Sequence, residues 1–329
     1  MFHHLTRRRA MQALITMLPW TLLPGVIHAA DAWPSKPLKI IVGFSAGSSP
    51  DVQARLIAEP LAKLLGQPVV VENRPGASGN LGAAAIAKAT DGHTFGIIGN
   101  GPLTSSRFLY RNLPYDPQQD FTPIALVGAA PLVWVIAKDA QRSNAEQFIT
   151  HARTEGEKIA YGSVGVGSGT HLAVELLKPA LGINPLHIPY NGGPAVVTAL
   201  AGGEIHMALL PASTAQPLIE AGKINAIAAT SRTSSPLAPG LPGMQDIGAQ
   251  DVHIEVWNAI MAPAKMPKTH QEKLSDAVRK VVESNEIRQK LQELGWRIED
   301  PSAAALMQRI ASDTAIYKAV IEKEGIRLD

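Results

Sequence analysis

The chain has 329 residues, 46% hydrophobic and 18% charged, which suffices for a sizeable buried core and, by length, for about two domains. The formal charge of +2 depends on Arg7, Arg8 and Arg9; without residues 1–30, 27 basic residues stand against 28 acidic ones, a net of −1, which argues against a nucleic-acid partner. The absence of cysteine excludes disulfides, thiolate metal sites and thiol catalysis.

The N-terminus reads as an export signal. "RRR" at 7–9 is a positive region, an apolar run broken by Pro19 and Pro24 follows, and "HAA" at 28–30 supplies small residues for cleavage, with His28 an imperfect fit. A generic basic segment fits better than a twin-arginine signal. Two prolines and a short apolar length disfavour a membrane anchor, and no other stretch is apolar enough to cross a bilayer. A free periplasmic protein is expected.

From residue 33 one organisation repeats: strand, short polar loop, helix. "LKIIVGF" leads into "SAGSSPD" and a helix with Val52, Leu56, Ile57, Leu61, Leu64 and Leu65 on one face, ended by Gly66. Ser49 is its expected N-cap, with Pro50 at the first helical position and Asp51 in the first turn. "PVVVEN" is the next strand, followed by the loop "RPGASGN" and an alanine-rich helix at 81–89. "HTFGIIG" precedes the loop "NGPLTSS". Ser143 and Glu146 spell a capping box for a helix near 144–154. "KIAYG", "SVGVGSGT" and "HLAVELLKPAL" form the next strand, loop and helix. "LHIPY" leads to "NGG" and a helix opened by Pro194. "IHMALL" and "INAIAAT" are strands around a helix near 211–221. The last 75 residues read as mostly helical, with Asp300 and Pro301 capping the final helix.

Alternating strands and helices predict an α/β fold of mainly parallel sheets covered by helices on both faces. Ligands in such sheets sit outside the carboxyl ends of the strands. Six Gly/Ser-rich loops fall there, three in each half: 43–51, 73–80, 99–104, 163–170, 190–194 and 210–214. They predict two lobes facing a cleft, lined by backbone N–H groups at helix N-termini and by hydroxyls of Ser45, Ser48, Ser49, Ser78, Ser168 and Thr170. Such a site suits a small anion. Arg74 and His171 are the cationic candidates. Asp51 fits either a ligand amine or its own helix dipole. Tyr190 and Trp257 fit either the cleft wall or the core, Tyr190 better placed because "YNGG" ends a strand.

Gly43, Ser45 and Gly47 also spell G-x-S-x-G, the signature of a hydrolase nucleophile. The motif lies on the first strand after the export segment, which leaves no earlier loop to supply oxyanion donors. None of the seven downstream histidines stands in a local motif that marks a base. An exported serine hydrolase using Ser45 is therefore the weaker alternative. "GSVGVGSGT" at 162–170 lacks dinucleotide-loop spacing and a P-loop lysine, and the histidines lack metal-ligand spacing. No cofactor and no metal are expected.

The segments "WPSKPLKIIV", "AEPLAKLLGQPVVVENRPGASGNLGA", "LYRNLPYDPQQDFTPIALV", "PYNGGPAV", "AGGEI", "IEAGKINAIAATS" and "WNAIMAPAKMP" occur in this order over nearly all of the chain past residue 33. Together they resemble the Bug-type (Bordetella uptake gene) periplasmic solute-binding proteins of the tripartite tricarboxylate transporter family. The resemblance implies a two-lobe Venus-flytrap fold. Residues 31–130 with 253–329 would form a discontinuous first lobe and 131–252 the second. It also implies capture of a small carboxylate, an aliphatic di- or tricarboxylate or an aromatic acid, for delivery by a monomer to membrane permease subunits without chemical conversion. Service to a sensor kinase is a further alternative. By position, Phe44, Ala46, Gly47, Ser48 and Asp51 match the family's first binding loop, and Ala77, Ser78 and Gly79 the second. Ser168, Gly169, Thr170, Tyr190, Asn191 and Gly192 match the loops of the other lobe. The chain departs from the family pattern at Ser48, Pro50 and His206 and in the apolar "MALLPAS", and these departures bear on the choice of ligand.

Overall fold

A computed structural model describes residues 33–138, 143–250 and 252–328; the stretch read as an export signal lies outside them. The chain order is β1 (Leu38–Val42), α1 (Ser49–Leu65), β2 (Val69–Asn73), α2 (Asn80–Ala87), β3 (Thr94–Gly99), α3 (Asn100–Thr104), α4 (Ser106–Leu109) and β4 (Phe121–Ala137). There follow α5 (Ala145–Glu155), β5 (Ala160–Ser163), α6 (Gly169–Leu181), β6 (Leu186–Pro189), α7 (Gly193–Ala201), β7 (Met207–Pro211), α8 (Ala212–Glu220) and β8 (Ile224–Ala229). Last come β9 (Glu255–Pro263), α9 (Lys268–Val282), α10 (Asn285–Glu293) and α11 (Ala303–Lys323).

The strand order is β2-β1-β3-β9-β4-β7-β5-β6, with β8 also paired to β4. The strands of the repeating pattern pair in parallel: β1 with β2 and β3, β5 with β6 and β7. The antiparallel pairs all involve β4 or β9. These are the two longest strands, and the chain-order reading names neither. β4 is buried almost throughout, so it lacks the alternation that marks a half-buried strand. Its Pro123, Gly128 and Pro131 read as breakers, yet each has a place in the ladder. The register against β9 shifts after Pro123 and before Gly128, as bulges allow. Pro131 closes the pairing with β9, and Leu132 opens the pairing with β7. β4 thus joins the first three strands to the last group. β9 is the exception to a helical C-terminus.

Helix starts differ from expectation by a residue or two. Ser48, not Ser49, caps α1. Asn144 caps α5 by accepting from the Gln147 amide, and Gln147 Oε1 accepts from the Ser143 amide, so the capping box lies one residue beyond Ser143 and Glu146. Ser302 caps α11, and Asp300 accepts from the Ser302 amide. Asn144 and Ser302 accept from the third helical amide, whereas Ser48 holds the cap position by its extended backbone alone.

Candidate functional site

The loops at the carboxyl ends of β1, β2, β3, β5, β6 and β7 converge. β1 delivers Phe44 to Ser48, which run straight into α1. Asp51, buried in the first turn of α1, organises this loop from behind. Its carboxylate accepts from the Gly47 amide (2.9 Å), from Asn73 Nδ2 (2.8 Å) and from Arg55 Nε (3.1 Å). Asn73 Nδ2 also donates to the Phe44 carbonyl (3.0 Å). Burial pushes the Asp51 pKa up, but the bonds from Arg55, the Gly47 amide and Asn73 outweigh it and hold the carboxyl below its ordinary value. Asp51 is thereby committed to its own loop.

After β2, Ala77 and Ser78 both sit at positive φ (46° and 55°), unusual for residues with side chains. Ser78 Oγ donates across the site to the Val166 carbonyl (2.7 Å). Ser45 Oγ reaches across in the same way to the Asn191 carbonyl (3.2 Å), and Ser105 Oγ to the Gly167 carbonyl (2.6 Å). Close approach sets two glycines here. A Cβ on Gly165 would collide with Ser78 Oγ, and one on Gly192 would come within 2.7 Å of Ser45 Oγ. The loops of the two halves of the sheet are therefore in direct contact.

The loop after β5 is bonded internally. Ser168 Oγ donates to the Gly165 carbonyl (2.6 Å) and accepts from the His171 amide (3.3 Å). Thr170 Oγ1 accepts from the Val164 amide, and His171 Nδ1 from the Gly167 amide (3.1 Å). Beneath it His171 stacks on His187 at 4.1 Å and His187 on Tyr161 at 4.7 Å. His187 Nε2 bonds Ser163 Oγ (2.7 Å), and the Tyr161 hydroxyl donates to Glu175. Burial pushes the His171 pKa down to about 4, with Lys178 adding to it. Burial and the neighbouring His171 push His187 down to about 3. Both rings are neutral at pH 7.

These loops line a cavity of about 50 Å³. Of the sequence-predicted residues, Phe44, Ser48, Ser49, Ser78, Ser168, Gly169 and Thr170 line it. Ala46, Gly47, Asp51, Ala77, Gly79, Tyr190, Asn191 and Gly192 stand outside the lining. Asp51 and Gly47 are bound to each other, and Gly79 packs beside the Phe44 ring. Asn191 meets Ser45, and Tyr190 is half-buried with its ring near Gly162. Trp257 is fully buried in the core, its Nε1 donating to Asp313. The tryptophan on the cavity wall is instead Trp296, whose Nε1 donates to Ser213 Oγ (3.2 Å). Its signal is a lone aromatic in the polar stretch "LQELGWRIED". Asn100 and Thr214 also line the cavity, within the predicted loops 99–104 and 210–214, and Val256 and Asn258 do so from β9, which no predicted loop includes.

No ionisable side chain lines the cavity among the described residues. Arg74 is paired with Glu72 at the surface, and His171 is neutral and held by Gly167. His206 joins β7 to β5 through both bonds to Ala160, away from the carboxyl end of β7 that meets the cavity. The charge complementarity comes from backbone. The first turns of α1, α6, α7 and α8 each contribute residues to the lining, and a helix N-terminus carries roughly half a positive charge. Their convergence gives the cavity the positive ends of four helices and no cationic side chain among the described residues.

A family model described as "Tripartite tricarboxylate transporter family receptor" matches residues 53–326. Protein BugT of Bordetella pertussis is 35% identical over 238 residues, 71% of this chain and 73% of BugT. The solved structure of R. palustris Rpa4515 with adipate is 30% identical, with a TM-score of 0.86, covering 90% of this chain and 100% of that one. MatC from Rhodopseudomonas palustris with bound malate is 27% identical, with a TM-score of 0.82, covering 88% and 99%. The fold is that of the periplasmic binding proteins. The chain belongs to the Bug-type tripartite tricarboxylate transporter receptor family.

Proposed function

We propose that the protein captures a small organic carboxylate in the cavity and delivers it unchanged to membrane permease subunits of a tripartite transporter. The observation that carries this reading is the cavity itself: helix N-termini and hydroxyls converge on it, and among the described residues no charged side chain lines it. Adipate and malate in similar proteins are both dicarboxylates, which favours that class. The binding loops are Phe44–Ser48, Ala77–Gly79, Ser168–Thr170 and Tyr190–Gly192. The protein works as a periplasmic monomer of two lobes, 31–130 with 253–329 and 131–252, which close about the β4 and β9 strands. The bonds from Ser45, Ser78 and Ser105 across the site support a closed arrangement.

The test is calorimetric titration of the mature chain with aliphatic and aromatic mono-, di- and tricarboxylates, with product analysis of any acid that binds. Binding without turnover is the expected result. Hydrolysis of esters of these acids, abolished by Ser45→Ala, would replace the receptor reading with a hydrolase.

A further inference from the structure

Four Ser or Asn residues cap helices in the ordinary way. Asn144, Ser168, Ser284 and Ser302 each accept from the amide three residues on, at Gln147, His171, Ile287 and Ala305. Ser48 does not. Its backbone (φ −70°, ψ 158°) nearly matches that of Ser168 (φ −66°, ψ 159°), so backbone geometry does not prevent the cap bond. The hydroxyl has turned away from its own helix.

It has turned into a place without a partner. Ser48 is 3% exposed and lines the cavity, and its Oγ makes no hydrogen bond. A buried, unpaired hydroxyl is costly, and the forgone cap adds to the cost. Five other polar side chains of the cavity are committed. Ser78 Oγ donates to Val166, Ser168 Oγ to Gly165, and Thr170 Oγ1 accepts from Val164. Asn100 donates to Tyr317 and Asn258 to Gln53. The unpaired hydroxyl stands at the positive end of a 17-residue helix. An oxygen acceptor arriving there satisfies the hydroxyl and the helix end together.

We infer that Ser48 is a specificity-determining ligand contact, its hydroxyl donating a hydrogen bond to a ligand carboxylate oxygen seated at the N-terminus of α1. The inference rests on the receptor reading above and adds a direct side-chain donor to it. A ligand that presents an apolar group at this point leaves the hydroxyl unpaired and is rejected.

The test uses the mature chain and five probes: acetate, benzoate, malate, adipate and citrate. The tightest binder in calorimetric titration is carried to Ser48→Ala and Ser48→Gly, and each protein is also melted without ligand. Both variants are expected to bind that acid about 10- to 100-fold more weakly, the range of one hydrogen bond to a charged group. Unliganded Ser48→Ala is expected to melt at the wild-type temperature or above it, because a buried unpaired hydroxyl has been removed. Wild-type-like affinity in Ser48→Ala, within twofold, would overturn the inference and leave the receptor reading standing. A lower melting temperature or misfolding of unliganded Ser48→Ala would show the hydroxyl to be structural, which also overturns it. If the wild type binds none of the five acids, the receptor reading and the inference fall together.

Discussion

The loops after β1 and β5 look alike in sequence and differ in how they are held. "GFSAGS" and "SVGVGS" both end a parallel strand, and both run through glycine and serine into a helix. In the second, the hydroxyls of Ser163, Ser168 and Thr170 and the Nδ1 of His171 are all bonded within the loop. A stack of Tyr161, His187 and His171 supports it from below. The first loop is tied from behind by one carboxylate, Asp51, and leaves Ser48 Oγ unpaired inside the cavity. Composition cannot separate the two. The distribution of satisfied and unsatisfied groups does: the loop after β5 is preorganised by its own bonds, and the loop after β1 is completed from outside.

The largest effect should come from Asp51, the most connected tie of the first loop. Asp51→Ala removes the acceptor shared by the Gly47 amide, Asn73 and Arg55, and should cost about 3 kcal/mol in urea denaturation. The second loop, with redundant support, should lose less from any one change. His171→Ala deprives the Gly167 amide of its acceptor and opens space beside His187, for about 2 kcal/mol. Ligand affinity should also fall, although His171 stands outside the cavity lining.

Acid should weaken the second loop before the first. Folding holds His171 and His187 neutral, with pKa values pushed down to about 4 and about 3. The unfolded chain takes up protons below about 6.5, so it binds more protons than the folded state and stability falls as pH drops. The loss begins near that value and levels off only once the folded rings protonate. The two histidines together should cost about 1 kcal/mol between pH 7 and pH 6. Urea midpoints at the two pH values measure it, and His171→Ala should lose about half of the dependence. In that interval Asp51, held below its ordinary value, stays ionised, so the first loop is unaffected. The smallest effect belongs to Ser45→Ala. It removes one exposed hydrogen bond to the Asn191 carbonyl, for about 0.5 kcal/mol and less than about a threefold change in ligand affinity.

The repeating strand–loop–helix pattern was readable because each unit is local. An apolar run ends at a Gly/Ser stretch, an amphipathic helix starts, and the structure places the units where the pattern does. β4 was not readable. Its two prolines and one glycine are breakers in isolation, and become acceptable only where the ladder shifts register or changes partner. Six of the fourteen residues assigned to the binding loops line the cavity, five of them at a helix start or a positive-φ turn and Phe44 just after β1. Asp51 stands apart because a carboxylate beside a helix start serves its own loop as readily as a ligand. Trp296, Val256 and Asn258 come from the distant C-terminal part of the chain, where an aliphatic or amide side chain carries no local mark of a site and a lone aromatic only a weak one.

Order, spacing and composition were enough to determine the α/β class, the position of the Gly/Ser loops at the carboxyl ends of the strands, and the family. These depend on periodicity and on residues close in sequence, which local sterics and solvation enforce. Only the tertiary structure decided which hydroxyls are spent and which is left over, that the site is built from helix ends without a cation, and that Trp296 rather than Trp257 forms its wall. Many of those outcomes depend on partners brought together from 60 to more than 200 residues away, as Ser105 with Gly167 and Asn100 with Tyr317. A hydrogen-bonding group is satisfied or left unpaired only by what the fold places beside it.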